Sequence, residues 1–245
     1  MVALTSAVPI ALSDLFPDRR EEGETTLRQC QLVLVRMLHV LDHICTANGI
    51  SYWMTAGTLI GALRHQGMIP WDCDIDVAMT EDDYQAFTAV SGQLPRDIFF
   101  QNAQTDPAYQ AYPERQLIPA KLRDRHSNYV EWQSRNPWAK WHNGLQVDIL
   151  LYRRDASGRL INPFRQTPYE RGEIFPLGRI DFEGVKLLAP NNPSGYISRR
   201  YGDFMTPPPP EGRFPHEGFA DPLTPCDHPE SRRYRRSFWR RWRLL

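Results

Sequence analysis

The stretch Tyr52 to Met79, YWMTAGTLIGALRHQGMIPWDCDIDVAM, restricts the possible folds more than any other part of the chain. Within it, Asp74 and Asp76 alternate with apolar Ile75 and Val77. Alternate residues on a strand share a face. The pattern therefore predicts a strand over Ile75–Met79 that buries Ile75 and Val77 and aims two carboxylates at one point. Upstream, Ile50 to Met54 reads as a strand, and Gly57-Thr58 as a turn into a short helix through Leu63. A helix start offers unpaired backbone N–H groups, here beside a hydroxyl, and so can seat a phosphate. Gly57 lets a ligand approach the backbone closely. Two hard oxygen ligands suit Mg²⁺, which binds carboxylates together with substrate phosphates.

A third carboxylate, Asp148, lies inside the apolar segment Leu145 to Leu151, a further predicted strand. Burying a charge there is costly unless it is paired or binds a metal. Three carboxylates from two strands can hold two metal ions, one activating the attacking oxygen and one stabilising the departing one. Each feature has a plain alternative. A lone Asp-x-Asp is usually a solvated loop, Asp148 could pair with an arginine, and Gly-Thr before a helix is common. The ordered combination carries the argument.

Around this block, Leu27, Cys30, Leu34, Leu38, Leu41 and Cys45 recur at helical spacing and predict an amphipathic helix from about Thr25, ended by Asn48-Gly49. Thr80 with Asp83 resembles a capping box opening a helix to about Gln93. Leu117 to Arg123 is another strand candidate, on which Lys121 and Arg123 alternate. The Trp-rich stretch Asn128 to Gly144 reads as an insert over the site. Ile180 to Leu188 reads as a hairpin about Glu183-Gly184, and Asn192-Pro193 as the start of a short helix closed by Gly202. Pro207 to Pro210 must form an extended arm. Residues 1–23 read as a loosely ordered lead-in, 24–225 as one domain and 226–245 as an Arg- and aromatic-rich tail.

The 29 basic and 29 acidic residues balance, which argues against binding nucleic acid by bulk charge. The four cysteines show no CxxC spacing, so neither a disulfide framework nor a cysteine zinc site is expected, and a reducing, cytoplasmic compartment is the simplest reading. His216, His228 and Cys226 are too scattered for zinc. A signal peptide is not expected at Met1–Ile10, nor a membrane span, which needs about 20 apolar residues. In the tail Ser231 to Leu245, Tyr234, Phe238, Trp242 and Leu245 share a helical stripe among arginines. This suits a helix in an anionic membrane interface, on the inner face. A solvated tail or a subunit contact are the alternatives.

The segment GTLIGALRHQGMIPWDCDIDVAM closely resembles the signature of the LicD family, roughly GTLLGAxRHxGxIPWDDDIDxxM. Val147-Asp148-Ile149, Phe182-Glu183-Gly184 and Tyr201-Gly202-Asp203 followed by prolines also resemble the family, so the likeness runs from about Thr25 to Pro210. It implies an α+β nucleotidyltransferase fold, a mixed sheet flanked by helices with an extended C-terminal arm. It implies transfer of phosphocholine or an alditol phosphate from a CDP-linked donor to a hydroxyl of a cell-surface or lipid-linked glycan, with Mg²⁺ or Mn²⁺. Asp74 and Asp76 would bind the ion, and Asp148 would complete the site or act as base. Gly57, Thr58, Arg64, His65, Lys121 and Arg123 would hold donor phosphates. For Arg64 and His65, a local pair with a carboxylate such as Asp72 is an equal alternative. Trp132, Trp138, Trp141 and His142 could stack on cytosine or cage a quaternary ammonium, or pack over the core. Cys73 stands where the family usually has an acidic residue; alternation turns it away from Asp74 and Asp76, while Asp72 shares their face. Nucleotidyl transfer from a nucleoside triphosphate, or a scaffold without catalysis, are the competing readings.

Overall fold

The computed structural model describes residues 11–110, 118–162, 166–213 and 219–231. The helices, in chain order, are α1 (Leu12–Leu15), α2 (Thr26–Ala47), α3 (Ala56–His65), α4 (Glu81–Val90), α5 (Pro107–Gln110), α6 (Val130–Arg135), α7 (Arg171–Ile174) and α8 (Pro193–Tyr201). The strands are β1 (Trp53–Met54), β2 (Ile75–Thr80), β3 (Ile98–Gln101), β4 (Ala120–Asp124), β5 (Gln146–Arg154), β6 (Leu160–Ile161), β7 (Pro168–Tyr169), β8 (Gly178–Phe182) and β9 (Val185–Ala189). The main sheet runs β1-β2-β5-β4-β3, with β6 and β7 continuing from the far end of β5. Only β2 and β5 pair in parallel; the other described pairs are antiparallel. This is the expected α+β mixed sheet flanked by helices.

Helix α2 is the central packing element. Thr25 caps it by accepting from the Arg28 N–H at 3.1 Å. Cys30, Leu34, Leu38, Leu41 and Cys45 are buried in the core against the sheet. By length and composition alone α2 is apolar enough to cross a membrane, with a mean hydropathy of 1.2, contrary to the sequence expectation that no stretch comes close. Yet 67% of that window is buried inside the protein, as befits a core helix.

The turn after α2 shortens the next strand. Gly49 adopts φ 66° and the Ile50 N–H reaches back to the Cys45 carbonyl at 2.9 Å, a helix-ending arrangement. Ile50 is thus part of the helix stop, and the Ser51 N–H is taken by Asp83 at 2.8 Å. Pairing therefore starts at Trp53, not at Ile50. The hairpin forms as expected, two residues longer at its start and one at its end, with Glu183 and Gly184 at positive φ in its turn. Asn192 caps α8 by accepting from the Gly195 N–H. The sequence reading missed β3, β6, β7 and the one-turn helices.

Described residues before α2 and after the arm pack onto this body. Arg20, in the expected loose lead-in, is buried and pairs with Asp124 at 2.9 Å. Cys226 and Ser231 are buried beside His142, whose ring nitrogen lies 2.8 Å from the Ser231 hydroxyl. The rest of the expected membrane-facing tail, 232–245, and His216 and Leu117 lie outside the described residues.

Candidate active site

The parallel pairing of β2 with β5 sets Asp76 directly opposite Asp148. Adjacent strands lie about 4.8 Å apart, so these two carboxylates, 72 positions apart in the chain, are nearest neighbours on one face of the sheet. The antiparallel pairing of β4 with β5 sets Lys121 opposite Asp148 on its other side. Asp74 lies one residue before β2 and opens into the same cleft, of about 510 Å³, as Asp76, Asp148 and Lys121.

Asp76 is held by its backbone. The Thr55 N–H donates to the Asp76 carbonyl at 3.2 Å, and the Asp76 N–H donates to the Thr58 hydroxyl at 2.7 Å. The turn that opens α3 thereby grips the residue that carries the carboxylate. This corrects one expectation. Thr58 is 5% exposed and does not line the cleft; its hydroxyl positions Asp76. Gly57 does line the cleft, and a Cβ placed on it would lie 3.0 Å from Asp72 Oδ2. A side chain there would need the Asp72 carboxylate to give by a few tenths of an ångström, so the contact on this face is with a carboxylate. Ala56 takes φ 45° at this bend, a costly conformation for a residue with a Cβ.

The loop between α3 and β2 is fastened from two directions. Gln31 on α2 donates to the carbonyls of Ile69 at 3.2 Å and Asp72 at 3.0 Å. Glu183 at the hairpin tip accepts from the Met68 N–H at 3.1 Å and from Arg28 at 2.8 Å. These hydrogen bonds and the Arg28 charge hold the Glu183 carboxyl below its ordinary range, against the opposing effect of burial. Cys73, in the position that is usually acidic, is buried in the core. Its carbonyl accepts from the Tyr129 hydroxyl at 2.7 Å. Asp72, as alternation suggested, is on the cleft side.

Lys121 is 1% exposed, and its ammonium lies 2.8 and 3.1 Å from the two oxygens of Asp148 and 2.7 Å from Gln146 Oε1. The partner of Asp148 is therefore a lysine, not the arginine weighed above. Among the described residues, no three His, Cys, Asp or Glu side chains are grouped to hold a metal ion by themselves. Asp148 is engaged by Lys121, and Asp74 and Asp76 are the adjacent carboxylates that fit an ion taking one or two protein ligands and completing its shell with phosphate and water.

The remaining candidates separate. Arg64 lines the cleft, donating to the Phe204 carbonyl at 2.9 Å and to His65 Nε2 at 2.9 Å. It pairs with neither Asp72 nor another carboxylate among the described residues. His65 is exposed outside the cleft. Arg123 is 1% exposed and buried in the sheet, donating to Gln101 at 2.8 Å and the Gly144 carbonyl at 2.7 Å, so it cannot reach a donor in the cleft. Trp132, Trp138 and Trp141 pack edge-to-face or tilted against one another, with centroids 5.5 to 6.3 Å apart, and none of them lines the cleft. The insert packs beside the site instead of covering it. What the sequence reading missed is the apolar wall, formed by Ile60, Ile69, Trp71 and Phe204, and the arm residues Asp203, Thr206 and Pro208 along the rim.

The sequence model described as LicD/FKTN/FKRP, nucleotidyltransferase domain, matches residues 49–192, which span β1, α3, β2, β4 and β5. The chain belongs to the LicD family. Relatives include the lipopolysaccharide cholinephosphotransferase LicD of Haemophilus influenzae, 52% identical over 65 residues (26% of this chain, 24% of the relative). The mouse ribitol 5-phosphate transferase FKRP is 36% identical over 185 residues (74% of this chain, 33% of the relative). An uncharacterized protein of Rickettsia typhi is 24% identical over 183 residues (71% and 47%). The matches thus span from a quarter to about half of these LicD-family and related chains.

Proposed function

We propose that this LicD-family chain transfers a phosphate-linked group, phosphocholine or an alditol phosphate, from a CDP-activated donor to a hydroxyl of a cell-surface or lipid-linked glycan, with Mg²⁺ or Mn²⁺. The observation that carries this is the register of Asp76 with Asp148, with Asp74 and the Gly57 turn opening on the same cleft. Asp74 and Asp76 would hold the ion, which would neutralise phosphate charge as the bond to the leaving nucleotide breaks. Asp148 faces the same space and can accept the proton of the attacking hydroxyl. Lys121 fixes the orientation of Asp148 and supplies a positive charge beside it. Positioning and charge neutralisation of this kind are what transfer at phosphorus requires. Gly57 forms part of the cleft wall, with the Asp72 carboxylate close to its backbone. The four buried thiols fit a reducing, cytoplasmic compartment.

The test is incubation with a panel of CDP-linked donors and CTP in the presence of Mg²⁺, read by mass spectrometry. Release of CMP from one CDP donor is expected, with Asp76→Asn abolishing it at little cost to thermal stability. Pyrophosphate release from CTP would move the chain to nucleotidyl transfer, and wild-type turnover in Asp76→Asn would refute the metal assignment.

A further inference from the structure

At the rim of the cleft, two guanidinium groups converge on one indole. The Cζ of Arg213 lies 4.5 Å, and that of Arg64 5.6 Å, from the ring centre of Trp71. Both are within the range of a cation–π contact. Arg213 arrives at the end of the arm, after the short turn Pro210–Gly212, and its Nε donates to the Pro208 carbonyl at 2.7 Å. Arg64 arrives from the last turn of α3, steadied by the Phe204 carbonyl on the same arm. Among the described residues neither guanidinium has a carboxylate in ion-pair contact, although other arginines of the chain do, among them Arg20, Arg28 and Arg36. The remaining contacts of this pair are neutral carbonyls, an imidazole and an indole.

Two like charges held together in this way repel. Burial and the charge of Arg213 both push the Arg64 guanidinium below its ordinary range. An arrangement that keeps two cations together without a counter-ion among the described residues is suited to an anion supplied from outside. The planar forks of arginine match the oxygens of a phosphate. The helix start at Gly57, the other candidate seat, faces the Asp72 carboxylate, so an anion entering the cleft gains more at the rim.

We propose that Arg64 and Arg213, stacked on Trp71, form a phosphate seat at the rim of the cleft, with the arm supplying half of it. This deepens the function proposed above and rests on it for the identity of the substrate, since the phosphate belongs either to the donor diphosphate or to a phosphate-bearing acceptor. The seat itself binds independently of turnover.

The first measurement is calorimetric titration of the full chain with inorganic pyrophosphate at low salt in EDTA, which needs neither metal nor transfer. The wild type is expected to bind. Arg64→Gln and Arg213→Gln should each weaken binding about tenfold or more, with Arg213→Lys intermediate. Thermal unfolding without ligand separates a binding role from a structural one. Removing one of two repelling charges should leave Tm unchanged or raised, whereas an arginine that only braces the arm would lower it. Equal pyrophosphate affinity in the wild type and both Gln variants, or no binding by the wild type, overturns the seat. If CMP release is found, steady-state kinetics of Arg213→Gln assign the source. A raised KM for the donor places the diphosphate there, and a raised KM for the acceptor places the acceptor phosphate there. If no donor turns over, the transfer reading fails while the pyrophosphate result still decides the seat.

Discussion

Asp148→Asn should cost far more stability than a neutral, nearly isosteric change ordinarily does. The substitution removes the carboxylate whose two oxygens lie 2.8 and 3.1 Å from the Lys121 ammonium, and leaves that ammonium 1% exposed. Breaking a buried pair by removing one partner costs about 3–5 kcal/mol, because the surviving charge stays out of water. Asp148 borders the cleft, so some water reaches the pair and the lower end, about 3 kcal/mol, is the expected value. For a chain of this size each kcal/mol lowers Tm by roughly 2–4 °C, giving a fall of about 6–12 °C. The assay is thermal and urea unfolding in EDTA, so that no divalent ion contributes. The double variant Lys121→Met/Asp148→Leu, which removes both charges, should recover most of the loss. Additive effects around this cycle, or a loss below about 1 kcal/mol for Asp148→Asn, would refute the reasoning that these charges depend on each other.

The buried hydroxyl of Tyr196 lies 2.8 Å from Thr55, 2.6 Å from Tyr152 and 3.3 Å from Trp53. Tyr196→Phe should therefore cost about 1–3 kcal/mol in urea unfolding through the partners it leaves unsatisfied. Burial, with the charges of Arg123 and Arg125, holds His142 well below the usual imidazole range, and burial also lowers His39 and His228. These rings stay neutral in the fold while the unfolded chain takes up protons as pH falls through about 6.5. Stability is thus full above that pH and falls below it, by about 1.4 kcal/mol per pH unit per proton. His142→Gln should flatten the slope between pH 6.5 and 5, as followed by urea midpoints. Removing residues 232–245 while keeping the buried Ser231 tests the membrane expectation: vesicles of anionic lipid should lose the truncated chain, and equal sedimentation of both chains would discard it.

The acidic strand, the helix before it and the hairpin were legible because each rests on local rules: alternation, helical spacing, and Glu183-Gly184 at a tight turn. Those rules also located Asp74, Asp76 and Asp148 in a common cleft. What they could not supply is pairing between strands. Lys121 and Arg123 alternate identically in the sequence, yet only one reaches the cleft, because the register sets Asp148 opposite Lys121, while Arg123 lies opposite Gln146 and turns to Gln101 and the Gly144 carbonyl. Edge strand β3 is four residues of IFFQ after Pro95, too short to show a period. The Trp-rich insert had the composition of a ligand cage, but its rings satisfy one another. Arg213 offered no local signal, since its role depends on where the proline arm ends.

The grip of Thr55 and Thr58 on the backbone of Asp76 makes the two flanks of the cleft mechanically one part. A substitution in that turn would displace a carboxylate it never touches, and in an assay it would resemble a change at Asp76 itself. Damage in the turn that opens α3 should therefore present itself as a defect at Asp76, and a variant's biochemical symptom would point to the wrong residue.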